Sequence, residues 1–531
     1  MNSDNVYLRQ NVLVEPLHNQ WYAWAYLISP ASSSMYIANL HVKIMRSFIA
    51  SPQLHISALK NPAMMGGSFM YHGADKVDEI KELLEKTNKE QIQMLEFAEA
   101  IKTLDQMLRN QADGCSLEPL YQHIPPILKG YVELVYDLNN NPSIRFIEGL
   151  LYKSKYYSQS SQTIALSFIE QDKRPFVFST PRLMDNRCLH LKIPFSHEGL
   201  DILFRMKDFP NSFNEIKDIL GIQNQSNVLF SHFFTEEPPR KHSRYKSDDI
   251  RIRYFGHACI LIETKELSIL CDPLVSYNYR KNSACYRYTY SDLPDNIDYV
   301  LITHNHQDHC VFETLLQLRH KISSVVVPKS NNGSLVDPSL KLILQNIGFK
   351  SVIEIDELES ITIPGGYLIS IPFLGEHADL NIRTKAAYFV NIRGKSILFA
   401  ADSNNIEPQL YEYVHEIVGD IDVIFLGMEC DGAPLSWLYG SLLTKPLSRK
   451  IDQTRRLDGS DCEKGIQLID QFNPKEVYIY AMGQEPWLTH LTSVQYHEKS
   501  RPIVESSQLI EECKKRNIKV DRLFGHKEII F

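Results

Sequence analysis

The chain alternates between two kinds of hydrophobic patterning, and the change falls near residue 240. Before it, the chain mixes helix and strand signals. In NKEQIQMLEFAEAIKTLDQML, Ile92, Leu95, Ala98, Ile101, Leu104 and Leu108 form one stripe, which predicts an amphipathic helix packing onto its own domain. Asn88 and Gln91 read as a capping box that starts it. After residue 240, short apolar runs end in polar or charged residues. IRIRYFGHACILIET and LSILCDP read as a strand, a turn around Lys265 and a return strand. IDYVLIT, SSVVVP, GYLISIPFL, AAYFVNI, KSILFAAD, DVIFLG and EVYIYAMG are further strands, with helix patterns such as VFETLLQLRHK and PQLYEYVHEIV between them. That alternation predicts a layered α/β domain with functional residues at strand ends.

Between the two patterns, TEEPPRKHSRYKSDD (residues 235 to 249) loses apolar periodicity and reads as a linker. We divide the chain into an α+β domain at 1–240 and a second domain at 241–531. At 531 residues the chain exceeds what one core usually supports, in keeping with this division. The first 240 residues hold no dense cluster of His, Asp, Glu or Cys and no internal repeat, so they read as scaffold, dimerisation or partner-recognition structure.

Composition narrows the partners. A formal charge of -8 offers no basic field for a polyanion, so nucleic acid is disfavoured as the main partner. Nine scattered cysteines without a C-x-x-C pair fit reduced thiols. The start, MNSDNVYLRQNVLVEP, lacks a signal-peptide pattern, and WYAWAYLISPASSSMYIANL is too broken by Pro30, serines and Asn39 for a membrane span. A cytoplasmic protein is expected.

The chemistry concentrates in LITHNHQDHC, residues 301 to 310, where His304, His306, Asp308 and His309 follow a strand directly. Alternate residues of an extended loop project to one side, so His304 and His306 can share one ion. Asp308 and His309 open the next helix and address a second ion about 3.5 to 4 Å away. Cys310 adjoins the cluster and reads as packing. Between this cluster and the next strand-end carboxylate, IPFLGEHADL offers Glu376 and His377 side by side. Neighbouring residues of an extended segment point to opposite sides, so one of the two binds. With His377 the first ion has three imidazoles, a set suited to zinc; with Glu376 it has two histidines and a carboxylate, the set of oxygen-activating non-heme iron.

The H-x-H-x-D-H spacing resembles the signature of the metallo-β-lactamase fold, which implies an αββα sandwich for the second domain. Under that resemblance Asp272, ending LSILCD, supports the metal loop by hydrogen bonding. Asp402 in LFAADSNN bridges the two ions, and His490 in YIYAMGQEPWLTH is the terminal histidine ligand with His497 as its substitute. His257 in FGHAC is a supporting or structural residue. The length, the large preceding domain, and the stretches GEHADL, ADSNN and GMECDGAPLSWLYGSLL further resemble the diiron β-hydroxylases of nonribosomal peptide and antibiotic biosynthesis, the chloramphenicol-pathway type among them.

That resemblance implies an O2-dependent monooxygenase hydroxylating the β-carbon of an amino acid held as a thioester on a nonribosomal peptide synthetase carrier domain. Two irons would be held by His304, His306 and Glu376 on one side and by Asp308, His309 and His490 on the other. Asp402 would bridge them, so that Glu376 and Asp402 are the carboxylates nearest the chemistry. It also implies an external electron donor and a homodimer formed through the first 240 residues. The competing reading is a two-zinc hydrolase of the same fold acting on a phosphodiester, lactone or thioester; a third is a noncatalytic protein with a relic site. The loop YNYRKNSACYRYTYSD (277 to 292) is expected at the site mouth, and Glu429, Trp437 and Tyr439 as a substrate wall.

Overall fold

The structure, a computed structural model, describes residues 5–240, 245–279 and 286–531. From Arg251 onward the chain builds two seven-stranded sheets. In spatial order the first runs Val352–Ile355, Ile322–Pro328, Ile297–Leu301, Ser268–Cys271, Cys259–Glu263, Arg251–Gly256 and Lys527–Ile530. The second runs Ser360–Ile363, Gly366–Ile371, Ala387–Ile392, Lys395–Phe399, Val423–Gly427, Glu476–Tyr480 and Lys519–Arg522. The last strand of the chain returns to pair antiparallel with Arg251–Gly256 and so completes the first sheet.

Both sheets are covered on both faces, which explains why their strands read as continuous apolar runs. In Ala387–Ile392, Tyr388, Val390 and Ile392 point into the core between the sheets, while Ala387 and Phe389 point into the core beneath the outer helices. Those helices are Pro408–Val418, Cys462–Phe472 and Arg501–Lys515. This is the αββα sandwich expected for the second domain. The strands that precede Asp272, His304, Glu376, Asp402 and Glu429 all run toward the same edge of the sandwich, so their C-terminal loops converge there.

The first domain joins a four-stranded antiparallel sheet (Trp21–Tyr22, Val12–His18, Gln162–Phe168, Leu189–Leu191) to a helical layer that includes Val77–Glu90 and Ile92–Gln111. The expected capping box is not formed. Asn88 lies inside the first of these helices, and Gln91 is the break between them, its side chain donating to Ser161 Oγ at 2.8 Å. Ile92 is accordingly exposed, whereas Ala98, Ile101, Leu104 and Leu108 are buried beside Met94 and Phe97 within their own domain.

This domain is not a tethered module. One apolar core runs without interruption from its helices to the outer face of the first sheet. Hydrogen bonds stitch the seam: Tyr26 Oη to the Val336 carbonyl at 2.7 Å, Ser32 Oγ to the Leu335 carbonyl at 2.9 Å, and Asn39 Nδ2 to the Ser441 carbonyl at 2.8 Å. Asn39 lies in a turn of π-helix, Ile37–His41, which sets the side chains of this helix facing the metal-bearing domain out of ordinary α register.

Candidate metal centre

The site is built from loops that leave the sandwich edge in strained conformations. His257, Asp272, Glu376 and Ala401, the last adjoining Asp402, all have φ between 38° and 63°, where a Cβ is disfavoured. Gly375, with φ 74°, is needed beside Glu376 because any Cβ there would collide with Asn404. Such strain persists only where the surrounding structure enforces it, as the buried bonds below do.

Asp272 fixes the metal loop as expected. Its Oδ1 accepts from the Thr303 backbone at 2.7 Å, and its Oδ2 accepts from Thr303 Oγ1 at 2.6 Å and from His309 Nδ1 at 2.8 Å. His309 is thereby held with Nε2 toward Asp402 Oδ2, 3.0 Å away. Burial would depress the His309 pKa, but the Asp402 and Asp272 carboxylates outweigh it and hold it well above the ordinary value. His304 Nε2 faces Glu376 Oε2 at 3.8 Å and His306 Nδ1 faces Glu376 Oε1 at 2.9 Å. Burial, reinforced by the neighbouring imidazoles, pushes the His304 pKa well down, while burial raises Glu376 to about 7 despite His306.

The orientation of His306 comes from a residue whose role the sequence did not reveal. Tyr439 Oη lies 2.7 Å from His306 Nε2 and 2.8 Å from His377 Nδ1. If His306 donates through Nε2, the hydroxyl donates onward to His377, and His306 presents Nδ1 as a lone pair. Of the adjacent pair in GEHADL, Glu376 therefore turns toward His304 and His306, while His377 is engaged by Tyr439.

Three groups of ligand-type side chains have donor atoms within 4.8 Å of one another: His304, His306 and Glu376; His304, His309 and Asp402; His257, Asp308 and His309. The shared members make a continuous track longer than one ion needs. His304 Nε2, Glu376 Oε2, Asp402 Oδ1 and both His257 nitrogens are buried without a hydrogen-bond partner. Buried lone pairs are normally satisfied, so this set of imidazole and carboxylate donors fits a pair of metal ions.

His490 is not part of this track. The short helix Thr489–Thr492 turns its ring to the seam between the domains, edge-on to Tyr22 and beside Arg174, and its carbonyl accepts from the Val177 backbone. His497 is exposed and caps its own turn. The histidine beside Asp308 is His257, its Nε2 3.5 Å from Asp308 Oδ2. The position of His257 at a strand end was visible in FGHAC; the left-handed backbone that aims it was not. Cys310 is buried and outside the three groups.

A cavity of about 310 Å³ opens above the cluster. Its walls include Glu429 and Trp437, and the first domain contributes Met65 and Gly66. Trp437 Nε1 donates to the Gly66 carbonyl at 2.8 Å, which pins the indole across the seam. The tyrosine-rich loop lies elsewhere: Tyr277 bonds Glu313 at 2.9 Å and Arg287 bonds Asp172, both at the seam, while residues 280–285 lie outside the described residues. The Tyr277 hydroxyl there satisfies a buried charge, a demand that cannot be read from the spacing of the tyrosines.

The N-terminal domain of diiron non-heme β-hydroxylases matches residues 7–238, and a β-lactamase superfamily domain matches residues 251–427. The chain is 37% identical over 521 residues to the 4-amino-L-phenylalanyl-(CmlP-peptidyl-carrier-protein) 3-hydroxylase of Streptomyces venezuelae, covering 97% of this chain and 98% of that protein. It is also similar to the crystal structure of CmlA, a diiron β-hydroxylase from Streptomyces venezuelae, with a TM-score of 0.93 at 36% identity over 99% of both chains. A mutant of the CmlA β-hydroxylase gives a TM-score of 0.91 at 36% identity, over 99% of this chain and 100% of that one. With both domains matched in order and nearly the whole length covered, the chain belongs to the diiron β-hydroxylase family.

Proposed function

We propose that the protein hydroxylates the β-carbon of an amino acid held as a thioester on the carrier domain of a nonribosomal peptide synthetase. The observation that carries this reading is the approach of Glu376 Oε1 to His306 Nδ1, 2.9 Å, while His377 is occupied by Tyr439. Two histidines and a carboxylate suit iron that activates oxygen, in contrast to the three-imidazole set of a zinc hydrolase. The relative in Streptomyces venezuelae, named for hydroxylating an aminoacyl group on a peptidyl carrier protein, supports the substrate class.

In this reading His304, His306 and Glu376 would hold one iron, and Asp308 and His309, with His257 beside them, would hold the other; Asp402, which faces His309, would serve as a shared carboxylate. The irons, when bound, supply the reductive activation of O2 and the oxidation of the substrate C–H bond. The chain's own residues orient and enclose. Asp272 and Thr303 keep His309 and the loop in register, and Tyr439 fixes the face that His306 presents. Trp437 and the Met65–Gly66 segment wall the cavity from solvent. The first 240 residues are read as the homodimer contact and as part of the carrier-recognition surface, with electrons supplied by an external donor. No helix among the described residues is long and apolar enough to cross a membrane; we read the protein as cytoplasmic.

Metal analysis of protein produced with iron and zinc both available tests the reading, together with O2 uptake on a reduced sample given aminoacyl-loaded carrier. We expect two irons per chain and a product heavier by one oxygen. Two zincs, no iron and no O2 uptake would replace it with the hydrolase.

A further inference from the structure

Every carboxylate around the cavity but one is accounted for by a neighbour. Asp308 faces His257, Glu376 faces His306 and Asp402 faces His309. At the rim, Asp431 pairs with Arg456 at 3.0 Å. Glu429 has no side-chain hydrogen bond or ion pair among the described residues, although it lines the cavity.

Its position is fixed by the fold. Glu429 lies just beyond the strand Val423–Gly427, on the edge where the metal loops converge, and its carbonyl accepts from the Gly459 backbone at 2.9 Å. A Cβ at Gly459 would meet the carbonyls of both Glu429 and Asp402, so these two loops lie side by side there. Glu429 still stands outside all three ligand groups. Its side chain is half-buried and shares the cavity wall with the carboxylates of Asp402, Asp308 and Glu376. A carboxylate so placed gains most from a cation that enters the cavity.

An aminoacyl thioester brings one obligatory cation, its α-ammonium. The α-nitrogen and the β-carbon are bonded to the same atom, so a β-carbon facing the metal cluster puts the ammonium beside the cluster and not at the cavity mouth. We propose that Glu429 is the binding subsite for the substrate's α-ammonium group, selecting free aminoacyl groups and turning their β-carbon toward the metals. A charge-assisted hydrogen bond in a partly dehydrated cavity gives both affinity and direction. The loss of such a partner is felt as discrimination against substrates that lack the amine. The inference rests on the aminoacyl-thioester reading above.

The test uses the iron-loaded full chain and a nonribosomal peptide synthetase carrier domain. The carrier is charged in turn with each proteinogenic aminoacyl group and with 4-aminophenylalanyl. For the group accepted, it is also charged with the deaminated acyl counterpart. Wild-type protein should prefer the amine-bearing form. Glu429→Gln should keep two irons per chain and lose on the order of 10- to 100-fold of that preference, mainly through KM. Glu429→Asp, which keeps the charge, should recover part of it. An unchanged preference in Glu429→Gln would overturn the subsite, as would loss of iron, which would make Glu429 a metal-holding residue. If wild-type protein hydroxylates none of the aminoacyl carriers, the functional reading itself fails, an outcome separate from any variant.

Discussion

Two of the buried clusters of charged side chains in this molecule are built on opposite principles. At the seam between the domains, Arg174 reaches Glu15 at 2.8 Å and Glu313 at 2.7 Å, Arg182 donates to Glu15 at 3.0 Å, and Tyr22 and Tyr277 donate to Glu313. Each carboxylate there is answered by a guanidinium or a hydroxyl. At the metal cluster no guanidinium or ammonium among the described residues answers Glu376 or Asp402, and Glu376 Oε2, Asp402 Oδ1 and His304 Nε2 are left bare. A buried charge must be paired or it must hold a metal. The seam does the first and the cluster fits the second, so the density of charged residues alone does not mark a site; the unanswered lone pairs do.

The sharpest way to break this contrast is Asp402→Asn. It removes the negative charge that faces His309 while leaving the shape, so under the proposed function turnover should fall to background and iron below two per chain, with the thermal midpoint of metal-free protein little changed. Retained turnover and two irons would show that the cluster is misassigned. At the seam the expected loss is of stability. Arg174→Ala leaves Glu15 and Glu313 buried with a cation missing, which should cost about 3–5 kcal/mol in denaturant unfolding. Burial raises the Glu15 pKa, but Arg182 and Arg174 outweigh it and hold it well below the ordinary 4.5. The folded value is thus depressed, so this contribution is present above about pH 4.5 and is lost as pH falls through the folded value. The variant should show a weaker acid-limb dependence than the parent.

Smaller effects refine the picture. In metal-free protein Glu376 holds its proton up to about pH 7, so an incoming ion must displace it. Iron affinity should then fall by about tenfold per pH unit below that value. Titration calorimetry across pH 6 to 8 checks this through the proton released. Tyr439→Phe removes the hydroxyl shared by His306 and His377 and should lower iron affinity by roughly 10-fold, a typical effect of a group that orients a ligand. The smallest effect is expected from Lys207→Met. This lysine is buried without a hydrogen-bond partner, over the rings of Tyr277 and Tyr290, and burial lowers its pKa to about 7. An apolar replacement should change stability by less than about 1 kcal/mol, in either direction. A large loss would mean that the seam needs its positive charge as well as its pairs.

Much of the site could be read from the chain because local spacing and local chemistry coincide there. His304, His306, Asp308 and His309 occupy six consecutive positions after a strand, and strand geometry alone sends them to one place. Asp272 and Asp402 were legible as carboxylates ending apolar runs. His490 was not, because a histidine in a short helix can face either the cluster or the seam, and the first domain decides that. The tyrosine-rich loop misled for the same reason: its Tyr277 hydroxyl serves Glu313 and its Arg287 serves Asp172, partners distant in sequence.

The sequence by itself determined the layered second domain, the change of pattern that sets it apart from the first, and the dense metal loop, since these follow from periodicity and from ligand types at short range. Only the tertiary structure decided which of Glu376 and His377 faces His306, that His257 stands beside Asp308, and that Gly66 and Trp437 close one cavity across two domains. Each of these depends on a backbone held in the left-handed region or on a contact spanning hundreds of residues. Neither leaves a periodic trace in the chain, because both are enforced by packing between parts that the sequence keeps far apart.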